Sequence, residues 1–237
     1  MKSSKTFNLS YLKKLPIGLL ALVLVFAGAL FLFGFILHEV LWEKEVALDN
    51  FVFNFLSANV SPGRTLFMKR VTYFASSDFL RIGYGALAFL YLVLKNWKRL
   101  MEISVIALGG FLINFYMKIY FQRERPPGPL ADPLHNFSFP SGHATSGFIF
   151  YGLLVYLIWK AKIPEAYKFL IGLMLILFAI LIGFSRVYLR LHYTSDVLAG
   201  FCVGAAWLLL CIGLMEKLKK KSDAELTHTS QENISKI

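Results

Sequence analysis

The chain has 237 residues, of which 57% are apolar and only 16% are charged. Soluble domains are about 45–50% apolar and about 25% charged, so this composition excludes an ordinary soluble globule and a largely disordered chain. The net charge of +11 arises from basic residues at the ends of long apolar runs, which is typical of a polytopic membrane protein. The same placement disfavours a nucleic-acid-binding face.

The first predicted element is a membrane-spanning helix at residues 15–37. These 23 residues carry no charge and can cross a hydrocarbon core of about 30 Å. Lys13 and Lys14 before them would also suit a signal peptide, but the run is too long for one and no small-residue cleavage site follows. We therefore expect an uncleaved span.

Five more apolar runs predict spans at about 80–94, 103–121, 143–159, 169–184 and 194–215. Between the first two spans, residues 39–77 mix aromatic side chains with polar ones such as Asp49, which is typical of an amphipathic helix at the membrane interface. The expected fold class is therefore all-α, a polytopic membrane bundle of about six transmembrane helices plus a short interfacial helix.

A single membrane-embedded domain is expected over residues 1–221, followed by a polar tail, 222–237, that the composition predicts to be disordered. The lysines before the tail favour a positive-inside anchor over a specific lipid site. Cytoplasmic termini place 15 of the 25 Lys and Arg residues on that side, as the positive-inside rule expects. The loops after the third and fifth spans then face outward.

The first cluster of chemical interest lies at the end of the third span. Lys118 still belongs to the apolar run, where a lysine either snorkels to the interface or has a function. If the helix continues, Arg125 shares a face with it, and two convergent cations favour an anion. Four prolines stiffen the loop that follows, residues 122–139.

The second cluster, Pro140-Ser141-Gly142-His143, opens the fourth span. Ser141 suits an N-cap, and free backbone N–H groups at a helix start, exposed beside a glycine, bind anions. An ordinary helix cap with an interfacial His143 is the alternative.

The third cluster lies where the last span begins. Asp196 follows His192 by four residues, so its carboxylate can orient the imidazole and leave the other ring nitrogen free as a nucleophile or base. A capping aspartate near an incidental histidine is the alternative. The topology brings all three clusters to one side, where two histidines, an aspartate and a helix start join three cations, Lys118, Arg125 and Arg186. This inventory fits a tetrahedral phosphate.

These segments resemble the three signature motifs of the type 2 phosphatidic acid phosphatase superfamily, with its order and spacing: Lys118-x6-Arg125-Pro126, Pro140-Ser141-Gly142-His143 and Ser185-Arg186-x5-His192-x3-Asp196. The resemblance implies hydrolysis through a phosphohistidine, without a metal or other cofactor. It implies that His192 attacks phosphorus, that Asp196 orients His192, and that His143 protonates the leaving oxygen and later activates water. It also implies that the phosphoryl oxygens are held by Lys118, Arg125, Ser141, Gly142 and Arg186.

The size and six-span layout resemble the membrane branch of this superfamily, in particular bacterial lipid phosphatases of the phosphatidylglycerophosphatase B type. Residues 39–81, with Asp49, Arg64 and Thr72, resemble the upstream region of that branch only loosely. The resemblance implies a plasma-membrane enzyme with its site at the outer face and a lipid phosphate in the bilayer as its partner. No nucleic acid and no protein partner are expected.

Phosphatidylglycerophosphate is the expected substrate. Undecaprenyl diphosphate is the first alternative, and a broad phosphatidate or diacylglycerol pyrophosphate phosphatase is another. Arg123 and Arg190, outside the motifs, could accommodate the extra charge of a diphosphate, with solvent-facing rim cations as the alternative. A transporter or scramblase that binds the head group without cleaving it is the non-enzyme alternative, which a nucleophilic histidine beside an acid histidine disfavours.

Overall fold

The computed structural model describes residues 17–44 and 47–235. Every regular element in this part of the chain is a helix, which confirms the all-α prediction. The helices follow in the order α1 (Ile17–Leu37), a π-helical turn (His38–Trp42), α2 (Ala47–Ser57), α3 (Pro62–Tyr73), α4 (Ser77–Val93), α5 (Trp97–Phe121), α6 (Gly142–Trp159), α7 (Glu165–Tyr188) and α8 (Thr194–Ser235). Several predicted cytoplasmic lysines lie outside the described residues: Lys2, Lys5, Lys13, Lys14 and Lys236.

Five helical segments in the described ranges are long and apolar enough to cross a membrane: Leu20–Val40, Trp97–Phe121, Gly142–Trp159, Glu165–Tyr188 and Thr194–Leu218. The remaining predicted span, residues 80–94, falls within α4, which has 17 residues and carries Asp78 and Arg81 near its start. At 1.5 Å per residue, α4 rises only about 26 Å, less than the hydrocarbon core of about 30 Å. The bundle therefore has five helices of spanning length and one shorter apolar helix.

The segment between the first two predicted spans forms two helices, where the sequence predicted one. Ser61 caps α3 by accepting a hydrogen bond from the Arg64 N–H, and Pro62 suits the first turn, so a new helix begins there. On α2, Leu56 packs beneath the end of α7, while Phe51 and Phe55 are exposed. This amphipathic pattern agrees with an interfacial position, but α2 also buries Asp49.

Helix α6 lies at the centre of the bundle and packs against α7 and α8. The first turns of α8 approach α6 so closely at Gly200 that a Cβ atom there would lie 2.9 Å from the Ser141 carbonyl oxygen. This close approach brings the start of α8 next to the start of α6.

The tail predicted to be disordered from residue 222 is helical as far as Ser235, because α8 continues through it. Lys and Glu, which favour helices, are frequent after Leu214, and neither glycine nor proline interrupts the run. That residues 1–221 form a single phosphatase domain stays a prediction.

Candidate active site

The three sequence clusters meet at one end of the bundle. Helices α5 and α7 end there, and α6 and α8 begin there, so two C-terminal and two N-terminal turns converge. A cavity of about 280 Å³ opens between them. Five of the eight predicted site residues line it: Lys118, Arg125, Gly142, His143 and His192. The other three, Ser141, Arg186 and Asp196, are buried around it.

The protonation of His192 follows from its hydrogen-bond partners. Arg125 Nη1 lies 3.1 Å from His192 Nε2, and a guanidinium can only donate, so Nε2 accepts and carries the lone pair. The proton is then on Nδ1, which faces Ser138 Oγ at 3.2 Å and Asp196 Oδ2 at 3.4 Å. The ring is thus held as the tautomer that presents an unprotonated Nε2 to the cavity.

Burial keeps this imidazole neutral. It lowers the pKa of His192 to about 3, and the nearby cations Arg186 and Lys118 act in the same direction. Asp196 opposes them through its hydrogen bond and charge. Burial also lowers the pKa of Arg125, again against the influence of Asp196. A neutral histidine with an unprotonated ring nitrogen is the form required of a nucleophile.

Asp196 is fully buried, and both of its carboxylate oxygens have partners. Oδ2 accepts from the Ser138 hydroxyl and, at 3.0 Å, from the Tyr193 N–H. Oδ1 accepts from Arg123 Nη1 at 2.6 Å. The carboxylate is therefore fixed in orientation behind the His192 ring.

Lys118 and Arg125 do not share a helix face as the sequence predicted. Helix α5 ends at Phe121, and Gln122 takes a left-handed conformation with φ of 49°. The two cations converge through the loop instead. Lys118 Nζ donates to the Phe137 carbonyl oxygen at 2.7 Å, and Arg125 Nε donates to the Asn136 carbonyl oxygen at 2.7 Å. Both side chains therefore tie the loop to the cavity wall.

Arg186 reaches the site from the last turn of α7. Its Nη1 donates to Thr72 Oγ1 on α3 at 2.8 Å, which orients the guanidinium. Among the residues that the structure describes, its buried Nε has no hydrogen-bond partner. A buried donor without a partner favours an anionic acceptor.

The start of α6 combines a helix cap with a narrow backbone. Ser141 Oγ accepts from the Ala144 N–H at 3.4 Å, and the Ser141 N–H donates to the Asp196 carbonyl oxygen at 3.0 Å. A Cβ atom on Gly142 would lie 3.2 Å from Asn114 Oδ1, so a side chain there would crowd the cavity. The hydroxyl of Ser141 thus serves the cap, and the backbone at Gly142 faces the cavity.

Sequence reasoning missed several polar residues around the site. Asn114 is a polar residue inside an apolar run, one helical turn before Lys118. This position indicates that both side chains lie on the same helix face. Ser138 had no such signal, because it stands between two phenylalanines in a loop.

Arg123 is neither a solvent-facing rim cation nor free for substrate. Its side chain is 11% exposed and pairs with both Asp49 and Asp196. Arg190, the other cation outside the motifs, donates to Ser57 Oγ at 2.7 Å.

No group of three His, Cys, Asp or Glu side chains within residues 17–44 and 47–235 is arranged to hold a metal ion. That the reaction needs no metal stays a prediction.

Comparison with known proteins identifies the family. The sequence profile of the PAP2 superfamily matches residues 99–220, a range that contains all three motifs. The chain belongs to the PAP2 superfamily.

The similar sequences are named as phosphatases. Phosphatidylglycerophosphatase B of Bacillus subtilis is 33% identical over 159 residues, which cover 65% of this chain and 76% of that protein. Lipid A 4'-phosphatase of Bacteroides thetaiotaomicron is 30% identical over 154 residues, covering 56% and 65% of the two chains. Undecaprenyl-diphosphatase BcrC of Bacillus subtilis is 25% identical over 135 residues, covering 51% and 64%.

The fold matches a membrane enzyme of this superfamily. The crystal structure of a transmembrane PAP2 type phosphatidylglycerolphosphate phosphatase from Bacillus subtilis superposes with a TM-score of 0.67 and 28% identity. The match covers 83% of this PAP2 chain and 96% of that one. With five helices of spanning length, the chain is a multi-pass membrane protein.

Proposed function

We propose that this PAP2 chain is an integral membrane lipid phosphatase that removes the terminal phosphate of a phospholipid through a phosphohistidine. The observation that carries the proposal is the geometry of His192, whose unprotonated Nε2 faces a cavity lined by Lys118, Arg125 and His143. Similarity to phosphatidylglycerophosphatase B supports phosphatidylglycerophosphate as the substrate, with phosphatidylglycerol as the lipid product.

In the first step, Arg125 donates to a phosphoryl oxygen in place of His192 Nε2. The lone pair of Nε2 then forms a bond to phosphorus as the bond from phosphorus to the glycerol oxygen breaks. His143 gives a proton to that leaving oxygen. The positive charge that develops on the ring is stabilised by Asp196 at Nδ1. Lys118, Arg125 and Arg186 stabilise the negative charge on the equatorial phosphoryl oxygens.

In the second step, a water molecule attacks phosphorus and His143 takes its proton. The bond between phosphorus and Nε2 breaks, and its electron pair returns to the ring. Inorganic phosphate leaves, and His192 regains the form in which Arg125 donates to Nε2. His143 is thus proton donor in one step and acceptor in the other.

A lipid substrate is supported by a second cavity of about 390 Å³ between α4, α5 and α6. The two cavities share lining residues, namely Ser77, Leu80, Phe111 and Ser146. The second cavity is lined largely by apolar side chains such as Leu108 and Ile149. A phosphate held at the helix ends beside an apolar chamber suits an amphipathic substrate better than a water-soluble one.

The direct test is release of inorganic phosphate by the purified protein from phosphatidylglycerophosphate, with phosphatidate and diacylglycerol pyrophosphate in parallel. A variant with His192→Asn serves as the control for contaminating activity. Binding of these lipids without phosphate release would favour a transporter or scramblase and contradict the proposal.

Undecaprenyl diphosphate is the second candidate, favoured by the similarity to the undecaprenyl-diphosphatase. A diphosphate carries more negative charge than a phosphomonoester. Arg123 forms ion pairs with two aspartates, so it does not provide a cation for this extra charge. The decisive measurement is kcat/KM for both lipids in the same bilayer. A tenfold or greater preference for undecaprenyl diphosphate would reverse the ranking.

We also propose that α4 crosses the membrane as a sixth span, so that both termini are cytoplasmic, and that the site opens at the outer face of the plasma membrane. In this orientation 15 of the 25 basic residues lie inside. The test uses a variant without native cysteines, into which Asp132→Cys or Ser222→Cys is introduced. In intact cells, an impermeant reagent should label position 132. Labelling at 222 but not at 132 would contradict this orientation.

A further inference from the structure

One buried arginine is shared by two buried aspartates behind the site. Arg123 Nη2 donates to Asp49 Oδ2 at 2.9 Å, and its Nη1 donates to Asp196 Oδ1 at 2.6 Å. Its guanidinium carbon lies 4.1 Å from the centre of the Tyr193 ring, which holds it in a cation–π contact. Asp49 is 1% exposed, although it belongs to the amphipathic helix α2.

Asp49 also holds the start of α8. Its Oδ1 accepts from the Ser195 N–H at 2.9 Å, and its Oδ2 accepts from the Ser195 hydroxyl at 2.6 Å. The next residue is Asp196. A carboxylate from α2 therefore fixes the first turn of α8 through the backbone and also fixes the arginine that binds Asp196.

This arrangement decides which oxygen of Asp196 meets the nucleophile. Arg123 occupies Oδ1, so Oδ2 is the oxygen that faces His192 Nδ1 and accepts from Ser138. Because Arg123 divides its single positive charge between two carboxylates, Asp196 is only partly neutralised. It thereby keeps negative charge with which to stabilise a positively charged ring on His192.

We propose that Asp49 and Arg123 are positioning residues of the phosphatase, which act through Asp196 to hold His192 and to leave Asp196 its charge. The inference rests on the proposed function, because it assigns to His192 the role of nucleophile. Neither residue lines the site cavity, so neither touches the substrate in this arrangement. Burial of an ion pair is by itself a weak source of stability, which favours a role in orientation.

The first test is steady-state turnover of phosphatidylglycerophosphate by the Asp49→Asn variant. We expect kcat to fall about 10- to 100-fold, the usual effect of a small misplacement of a catalytic group. KM should change less than about twofold, because the cavity-lining cations are untouched. Arg123→Lys keeps the charge but loses the two guanidinium nitrogens that bond to Asp49 and Asp196, so it should lower kcat in the same way. It is the alternative variant if Asp49→Asn does not fold.

A matched control is the Arg99–Glu102 ion pair, which is partly buried and joined at 2.6 Å, at the end of α5 opposite the site. Glu102→Gln should leave kcat unchanged. Equal losses of kcat in Glu102→Gln and Asp49→Asn would show that any lost ion pair slows the enzyme and would overturn the proposal.

The second test asks whether Asp49 acts through Asp196. If it does, the double variant Asp49→Asn, Asp196→Asn should be about as slow as Asp196→Asn alone. If the two effects on kcat multiply instead, Asp49 acts independently and the proposal is wrong.

The third test needs no substrate. In histidine-labelled protein, the ring nitrogen resonances of His192, assigned by their absence in His192→Asn, should report a proton on Nδ1. In Asp49→Asn they should shift towards a mixture of tautomers, as in Asp196→Asn. If the wild type hydrolyses none of the lipids, the proposed function fails while this test still decides the positioning role. Identical His192 spectra in wild type and Asp49→Asn would overturn it.

Discussion

The two site histidines have different surroundings, which agree with the separate roles proposed for them. His192 is fixed on both ring nitrogens, by Arg125 on one side and by Asp196 and Ser138 on the other. His143, in the first turn of α6, lines the cavity, and its imidazole ring has no hydrogen-bond partner in the described part of the chain. A rigid ring suits the attacking group, and a ring with unused nitrogens suits proton transfer to and from a substrate.

Substitution should separate these roles. His192→Gln should abolish the acid-labile phosphoenzyme. His143→Gln should lower kcat for the lipid by about 10²- to 10⁴-fold, the usual contribution of a general acid. With p-nitrophenyl phosphate, whose leaving group needs no proton, the His143 variant should still form the phosphoenzyme and should accumulate it, because water is no longer activated. A phosphoenzyme that persists in His192→Gln would place the nucleophile elsewhere.

The buried, neutral His192 also predicts how stability depends on pH. Its pKa is about 3 in the folded protein and about 6.5 in an unfolded chain. Between these values the unfolded chain binds a proton that the folded protein does not, so stability is full above pH 6.5 and falls as the pH drops towards 3. Titration of this residue changes the free energy of unfolding by at most about 1.4 kcal/mol per pH unit.

The measurement is the thermal midpoint in detergent at pH 7 and pH 5 for wild type and His192→Asn. The thermal midpoint of the wild type should fall further between pH 7 and pH 5 than that of the variant, since the variant lacks the titrating ring. An equal loss in both proteins would contradict a neutral, buried His192.

At the scale of elements, the spacing of Gly200 against α6 should control the geometry of the site. A Cβ atom at Gly200 would lie 2.9 Å from the Ser141 carbonyl oxygen and 3.1 Å from Thr145 Oγ1. Gly200→Ala should therefore push α8, which carries Asp196, away from α6, which carries His143. We expect kcat to fall by about tenfold or more.

The control lies in the same helix. Among the described residues, a Cβ atom on Gly213 would meet only Leu22 Cδ2, at 4.0 Å, so Gly213→Ala should leave kcat unchanged and should stabilise the helix slightly. Comparable activity in the two alanine variants would show that the approach of α8 to α6 is not critical.

Local signals in the sequence predict the spanning helices and the motifs. Long apolar runs predict the helices α1 and α5 to α8. The positions of Lys118, His143 and His192 in the fold follow from where those helices begin and end. Asp49 and Arg123 could not be paired in this way, because 74 positions separate them and neither belongs to a motif. The sequence therefore indicates for Asp49 only a polar residue of an interfacial helix, loosely like the family's upstream region. For Arg123 it indicates either a cation for the extra charge of a diphosphate or a rim cation. Asp49 on α2 and Arg123 in the loop after α5 meet at the start of α8, against which α2 packs.

The enzyme as a whole should work without a metal ion. Three fixed cations converge at the helix ends, and such charges can stabilise a phosphoryl group as magnesium does in other enzymes. Turnover should survive EDTA, and vanadate or tungstate should inhibit competitively as phosphate mimics. Loss of activity in EDTA that magnesium alone restores would contradict this mechanism.

We expect the short helix α4, as the proposed sixth span, to give the enzyme a preferred membrane thickness. Its length of about 26 Å is a few ångströms less than the thickness of the hydrocarbon core. A hydrophobic mismatch costs fractions of a kcal/mol per ångström. Ser77 and Leu80 in its first turn line the site cavity, so a bilayer that must deform around α4 also strains the wall of that cavity. In vesicles of graded acyl length, turnover should be highest in bilayers thin enough to match α4 and should decline as the chains lengthen.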